Sequence, residues 1–431
     1  MDTIFDKVRV DLTANDDTPR RPRPGFLNRI YRPDARVGRF LSVLALFGVS
    51  YGLYRGIQDN YLAEIMRVSP FERGVVEFFR ETPGLLLILI LALMYRFADS
   101  RIFKIGAACM AGGVTGLLLT SSSGFFMTKV FVVVFMVLYS AGEHIIMPVR
   151  ATIAMDLAKR EKAGASLGIS GSINQLGNIA GFVLVTGIFF LLGRMGFGRS
   201  DVIGYRIVFG VSAALMVTAA LVAAALRETT LKSERRRFYF AKKFTKFYLL
   251  EIFYGARKQI FLTFAPYVLI LQYGADPSIM SMLYAVCAVF GMFCSPLIGR
   301  IIDKVGYKAV MVVDTLILIV VCLLYGFAHR LFPPNIAYVV VCSNFVIDSV
   351  ISIASMASNI YVQRISSNQE EITATLSTGI SVNHVISIFI ALMGGWIWKV
   401  TGIETLFALS AAFGLVNSVY AMTIKKDEER K

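Results

Sequence analysis

VMVVDTLILIVVCLLYGFA, Val310 to Ala328, holds one charged residue, Asp314, in an otherwise apolar run. As a helix rising 1.5 Å per residue it covers ~28 Å, close to the hydrocarbon thickness of a bilayer. GLLLILILALM, Gly84 to Met94, reads the same way, and comparable runs recur to the end of the chain. Over 431 residues the composition is 56% hydrophobic and 17% charged, with a mean hydropathy of +0.64. Soluble domains carry about a quarter charged residues. The short alternating strands of an outer-membrane barrel are absent. The expected fold is an all-α integral membrane protein with twelve transmembrane helices, the first near 40–62, the second near 74–96 and the last near 402–424.

The net charge of +15 is concentrated between the spans. Basic residues crowd the N-terminal tail (Arg20, Arg21, Arg23, Arg29, Arg32, Arg36, Arg39), a central link (Arg235, Arg236, Arg237, Lys242, Lys243, Lys246) and the end (Lys425, Lys426). Lys and Arg accumulate on cytoplasmic loops, which places both termini inside and the protein in the cytoplasmic (inner) membrane as a multi-pass protein. The expected organisation is a cytoplasmic tail (1–39), a six-helix bundle (40–226), a basic linker (227–246), a second six-helix bundle (247–424) and a short tail (425–431). The tail has no signal-peptide core, and FLNRIYRP (Phe26 to Pro33) reads as a surface-lying segment. The basic clusters serve topology, so nucleic acid is not an expected partner. All five cysteines lie within apolar spans and are expected reduced and packed.

The chain is written twice. YGLYRGI from Tyr51 matches YGARKQI from Tyr254, pairing Arg55 with Lys258. ADSRIFK around Asp99 matches IDKVGYK around Asp303, and ASLGISGSINQ from Ala165 matches ATLSTGISVNH from Ala374, pairing Asn174 with Asn383. Such internal duplication is typical of transporter folds, with the site between the repeats near the midplane. GRIIDKVGYK, Gly299 to Lys308, resembles the cytoplasmic loop motif of the major facilitator superfamily, G-x-x-x-D-[RK]-x-G-x-[RK], at Gly299, Asp303, Lys304, Gly306 and Lys308. The copy in the first half keeps Asp99 and Lys104 but has Tyr95 and Ile102 where the motif has glycine. The resemblance covers about 40–424 and implies a cytoplasmic gate at these residues, alternating access, and function as a monomer.

Ionisable groups inside the hydrocarbon are costly and should face a partner or a cavity. Tyr51, Arg55 and Asp59 share one face of the first helix, while Gly48, Gly52 and Gly56 form a second stripe that admits another helix. Glu77, Arg80 and Glu81 cluster on the second helix. Glu143 and His144 lie in the fourth span, Glu251, Arg257 and Lys258 in the seventh, Asp348 in the tenth and His384 in the eleventh. The resemblance implies a shared cavity for Arg55, Glu143, Lys258 and Asp348. Two cations at matching points suit an anion, a placement similar to that in organophosphate–phosphate antiporters. The expected substrate ligands are Tyr51, Tyr54, Arg55, Arg257, Lys258, Asn174, Asn383 and His384. Asp59, Glu77, Arg80, Glu81, Glu143 and Asp348 form the charge or proton-coupling network, with Glu81 or Glu143 carrying the proton.

The fifth helix, GSINQLGNIAGF from Gly171, departs from the drug–proton antiporter pattern by having Asn178 at the proline position. No phosphate-cradling loop or catalytic arrangement is present, so the chain is not expected to be an enzyme. Three histidines spread along the sequence suggest no metal site, and no cofactor is expected beyond a proton or counter-anion as coupling ion. The expected function is secondary active transport of a small polar, anionic or zwitterionic organic solute, proton-coupled or exchanging, with the lipid bilayer and that solute as partners. The alternatives are efflux of lipophilic or cationic compounds or lipids, and a non-transporting scaffold or sensor.

Overall fold

The computed structural model describes residues 26–94, 96–120, 126–159, 161–198, 201–227 and 240–424. Arg20, Arg21 and Arg23, Tyr95, most of the basic linker and the tail from 425 onward lie outside the described residues. The first half contains α1 (Phe26–Ile30), α2 (Ala35–Asn60), α3 (Pro70–Leu85), α4 (Leu87–Leu93), α5 (Asp99–Leu119), α6 (Phe126–Leu157), α7 (Ala163–Arg194) and α8 (Val202–Ala224). The second contains α9 (Thr245–Tyr273), α10 (Pro277–Val305), α11 (Tyr307–Leu331), α12 (Pro334–Ile351), α13 (Met356–Ile365), α14 (Gln369–Thr401) and α15 (Ile403–Met422).

Ten helical segments among the described residues are long and apolar enough to cross a membrane; α12 and α13 together make one of them. The broken pair α3–α4 and the 29-residue α9 fall outside that set. Both are of crossing length, and both carry the charges that the sequence places within the bilayer. With them the segments number twelve, in two halves of six.

Local chemistry sets the helix ends. Asp34 accepts a hydrogen bond from the Arg36 backbone N–H at 2.8 Å and caps α2, and the Arg36 guanidinium holds its carboxyl below the usual range. The second span starts at Pro70, four residues before the expected position. Ser69 and Glu72 form a reciprocal capping box there, with Pro70 at the first helical position. Pro83 lies inside α3 and cannot donate to the preceding turn, and the helix breaks after Leu85. Gly306 turns α10 into α11 at φ +88°, which a side chain would strain. The surface segment expected at Phe26 to Pro33 contains α1. Its end is tied to the α6–α7 turn by Arg32 N–H donating to Leu157 O (3.1 Å) and Lys159 N–H donating to Ile30 O (2.9 Å).

The glycine stripe of α2 packs as its spacing predicts. Gly48 and Gly52 face Gly177 and Gly181 of the parallel α7, and a Cβ on either α2 glycine would lie 2.9 Å from the opposing glycine Cα. In lipid, where apolar burial gives no preference for helix over solvent, such close backbone contact is what joins helices. Contact between the halves runs along two antiparallel seams, α3 against α14 and α7 against α10. Gly74 abuts Ala391, and Gly395 abuts Pro70 and Phe71. Asn60 donates to Ala275 O at 2.8 Å, Ser281 to Gly56 O at 3.0 Å, and Thr186 to Ser278 O at 3.2 Å. These bonds gather at the end holding the α2 C-terminus and the α10 N-terminus. Toward the other end, a Cβ at Gly164, Gly168 or Gly171 of α7, or at Gly291 or Gly299 of α10, would meet nothing within 4 Å.

Gly181→Leu is therefore expected to lower the thermal midpoint of the purified protein, by an overpacking cost of about 1–3 kcal/mol. Gly187→Leu, where a Cβ meets nothing, should leave the midpoint within a degree or so of the parent.

Candidate functional site

A continuous series of ion pairs lies between the halves, near the end where they touch. It starts on α2, where Arg55 pairs with Asp59 one turn along at 3.0 Å. Asp59 also receives Arg73 of α3 at 3.1 Å. Arg73 pairs with Glu77 at 2.7 Å, Glu77 with Arg80 at 2.5 Å, and Arg80 with Glu81 at 2.6 Å. Glu81 then meets His384 Nδ1 of α14 at 3.0 Å. Positions 73, 77, 80 and 81 fall on one face of α3 because i+3, i+4 and i+8 spacings bring side chains round to the same side.

Burial explains why the partners must be exact in number. Asp59, Arg73 and Glu77 are all at most 2% exposed. Removing either member of such a pair leaves a lone buried charge, at ~3–5 kcal/mol. Three guanidinium groups face three carboxylates, so the series is neutral before His384 is counted. Polar and aromatic groups of the second half complete it. Gln259 of α9 donates to Glu77 at 3.1 Å, and Tyr284 of α10 donates to Asp59 at 2.8 Å. The Arg55 guanidinium lies 5.2 Å from the Tyr284 ring centre and that of Arg73 5.6 Å from the Tyr267 ring centre, at cation–π distance.

Of the expected substrate ligands, the structure ties Arg55 to Asp59, so its charge is already met within α2. Lys258, its counterpart in the repeat, is exposed and stands 5.9 Å from the Tyr254 ring centre. Among the described residues no carboxylate pairs with it. Arg257 points elsewhere and meets Asp348 of α12 at 3.4 Å. Among the described residues none of the four expected cavity charges, Arg55, Glu143, Lys258 and Asp348, forms an ion pair with another of them. Tyr54 packs on Tyr139 with the rings tilted and their centres 4.4 Å apart and is buried, whereas Tyr51 is half-buried. Asn174 sits at the α2–α7 glycine seam. Asn383 donates to Glu251 at 3.4 Å, and Glu251 accepts from Ser358 at 3.0 Å. Glu143 is half-buried with no ion pair among the described residues. In the expected gate, Asp99 is buried at the start of α5, while Asp303 and Lys304 are exposed and Lys308 donates to Ile424 O at 2.6 Å.

The histidines need a correction. The sequence separates His144 from His384 by most of the chain, but their rings lie 5.1 Å apart where α6 and α14 both meet α3. Sequence reasoning also missed Arg73, because it began the second span after it. The Ser69–Glu72 capping signal would have placed it inside. Gln259, Tyr267 and Tyr284 are uncharged and gave no signal.

Solved transporters share the fold of this chain, and two family models match its sequence. The nucleoside transporter NupG superposes with a TM-score of 0.66 at 13% identity, over 90% of this chain and 99% of that one. A D-xylose-proton symporter gives 0.66 at 14%, over 92% and 98%. Peptide transporter POT in complex with sulfate gives 0.68 at 13%, over 91% and 95%. No curated protein matches the sequence. The family model described as Major Facilitator Superfamily matches residues 247–431, and one described as PUCC protein matches residues 7–231. The chain belongs to the major facilitator superfamily. For this superfamily member the solved relatives share the fold at low identity, so substrate must be argued from its own residues.

Arg73→Met leaves two guanidinium groups against three buried carboxylates, one uncompensated buried charge, and is expected to cost about 3–5 kcal/mol of stability. Adding Asp59→Asn should recover part of that loss. Lys129→Met, which removes a part-exposed partner of Glu72 at 2.9 Å, should cost under about 1 kcal/mol. Thermal unfolding in detergent reads all three.

Proposed function

We propose that this protein is a secondary active transporter of a small polar solute with an acidic group, zwitterions above all, working by alternating access. The reading rests on two charges of opposite sign that the ion series leaves over: Lys258 on α9 and Glu143 on α6. Lys258 occupies a particular sector of its helix. Residues on one side of it reach α12, through Tyr254 O–H donating to Ser352 O at 3.2 Å and the Arg257–Asp348 pair. Those on the other side reach α3 and α14, through the Gln259–Glu77 bond and the contact of Gly255 with Asn383. Between them Lys258 faces the gap between the halves. Glu143 lies one turn from Tyr139, whose ring packs on Tyr54 of α2, and so belongs to the opposing half. A carboxylate or phosphate on the solute would meet Lys258, and an ammonium would meet Glu143.

The halves touch at one end only through the bonds described above. In the topology proposed from the charge bias, with both termini cytoplasmic, the separated end faces the cytoplasm. The exposed Asp303 and Lys304 fit a released cytoplasmic gate. We assign the driving step to Asp348, which among the described residues pairs only with Arg257, at a long 3.4 Å. Arg257 also has a buried Nη2 with no acceptor. Cys287, Cys322 and Tyr325 lie within electrostatic reach of Asp348, and Asp314 lies within reach of Arg257. A carboxylate held by a single stretched contact can exchange it for a proton, freeing Arg257 to move.

A panel of phosphate esters, carboxylates, amino acids and organic cations should separate the readings by thermal shift, since a ligand at a hundredfold excess over Kd stabilises by about 2.7 kcal/mol. Stabilisation by acidic or zwitterionic solutes that is lost in Lys258→Ala supports the assignment. Stabilisation by organic cations alone, lost in Glu143→Gln and kept in Lys258→Ala, would replace it with the export reading. In proteoliposomes, Asp348→Asn should keep solute counterflow and lose uphill accumulation. Uphill accumulation at the parent rate would remove Asp348 from the driving step.

A further inference from the structure

Glu81, His144 and His384 come from three helices and both halves, and one donor atom from each lies within 4.8 Å of the other two. We propose that they form a binding site for a zinc-like divalent cation that staples α14 to α3 and α6. The site is independent of the solute reading above.

The local bonding prepares each donor. His144 Nδ1 lies 2.8 Å from Ser140 O in its own helix. That carbonyl can only accept, so the proton sits on Nδ1 and the Nε2 lone pair is left for a ligand. A ring fixed by such an outer bond is the usual state of a metal-bound histidine. Ser140 Oγ donates to Arg80 O at 2.6 Å, fastening this turn of α6 to α3. Glu81 divides its oxygens: Oε1 takes Arg80 at 2.6 Å, and Oε2 faces His384 Nδ1 at 3.0 Å. Without metal, His384 Nδ1–H donates to Glu81 Oε2; a bound metal displaces that hydrogen, and the tautomer with hydrogen on Nε2 leaves Nδ1 to ligate. Tetrahedral bonds of about 2.0–2.2 Å set ligand–ligand edges of about 3.3–3.6 Å, so the 3.0 Å pair needs to part by only a few tenths of an ångström. Arg80 would repel a dication, but Glu77 offsets its charge, taking Nη2 at 2.5 Å and Nε at 2.9 Å.

Gly84 makes the room. A Cβ there would lie 2.7 Å from His144 Nε2 and 2.8 Å from His384 Cε1, so any side chain would occupy the space into which the two rings converge. Glu81 and His144 are buried, and His384 is partly so. Two imidazoles and one carboxylate suit zinc, cobalt or nickel in preference to magnesium or calcium, which take oxygen ligands. Three protein ligands leave a fourth position for water. Because Glu81 and His144 move with one half and His384 with the other, an occupied site holds the touching end shut and slows the exchange between the two access states.

The test uses the full-length purified protein with Co2+ as the optical probe and Zn2+ as the competitor. The parent should bind one Co2+ with visible ligand-field absorption of low-symmetry nitrogen–oxygen coordination, displaced by Zn2+ and unaffected by Mg2+. His144→Ala and His384→Ala should each weaken binding at least tenfold. Gly84→Ala keeps all three ligands and should weaken it too, which a surface site would not show. Metal-free thermal melts establish that each variant is folded; where one is not, His144→Gln or His384→Gln takes its place. The parent failing to bind Co2+, or the double histidine variant binding it with unchanged affinity, overturns the proposal.

Discussion

Arg73 is the residue on which the arrangement depends. It is 1% exposed, and its guanidinium lies between Asp59 of α2 and Glu77 of α3. Its two contacts join the Asp59–Arg55 pair of α2 to the Glu77–Arg80 pair of α3, so that two separate pairs become one series. A buried ion pair is weak evidence for stability, because desolvation offsets most of the attraction. Its use is geometric: each charge can be satisfied in only a few positions. The series fixes how α2 sits against α3, and through Tyr284, Gln259 and His384 it fixes how the second half meets the first.

Packing and electrostatics therefore select the same end of the molecule. The glycine contacts at Gly74 and Gly395 let α3 and α14 approach, and farther along the same seam Glu81 reaches His384. In the alternating access proposed above, this contact opens once per cycle. The bonds that cross between halves are few, and several are single hydrogen bonds of Asn60, Thr186, Ser281 and Tyr284. Most of the full ion pairs stay within the first half. Opening this end then costs a limited number of polar contacts, while the charged core of the first half travels intact.

The superfamily was legible in the sequence because it rests on period and composition. Apolar runs of crossing length, a duplicated order of motifs, and the loop Gly299 to Lys308 need no tertiary information. The packing role of Gly48 and Gly52 was legible too, since helix spacing alone places them on one face. The candidate site was legible only where partners share a helix, as with Arg55 and Asp59 or Glu77, Arg80 and Glu81. Arg73 was lost through a boundary error of four residues. Tyr284, Gln259 and the approach of His144 to His384 depend on how separate helices are rotated, which hydropathy does not encode. The same limit explains why Arg55 and Lys258, equivalent in the repeat, have different surroundings.

The most direct measurement is the distance between the halves at the touching end, by electron–electron double resonance. Spin labels would go at Leu191 and Met282, both exposed on α7 and α10 near that end, in protein with its five cysteines replaced. The account predicts a short, narrow distribution in the parent. With Glu81→Gln and Gln259→Ala, which remove crossing contacts while leaving Arg73 paired, a longer population should appear. A distribution unchanged by these substitutions would mean that the glycine seams alone hold the halves together and that the ion series plays no part in closing this end.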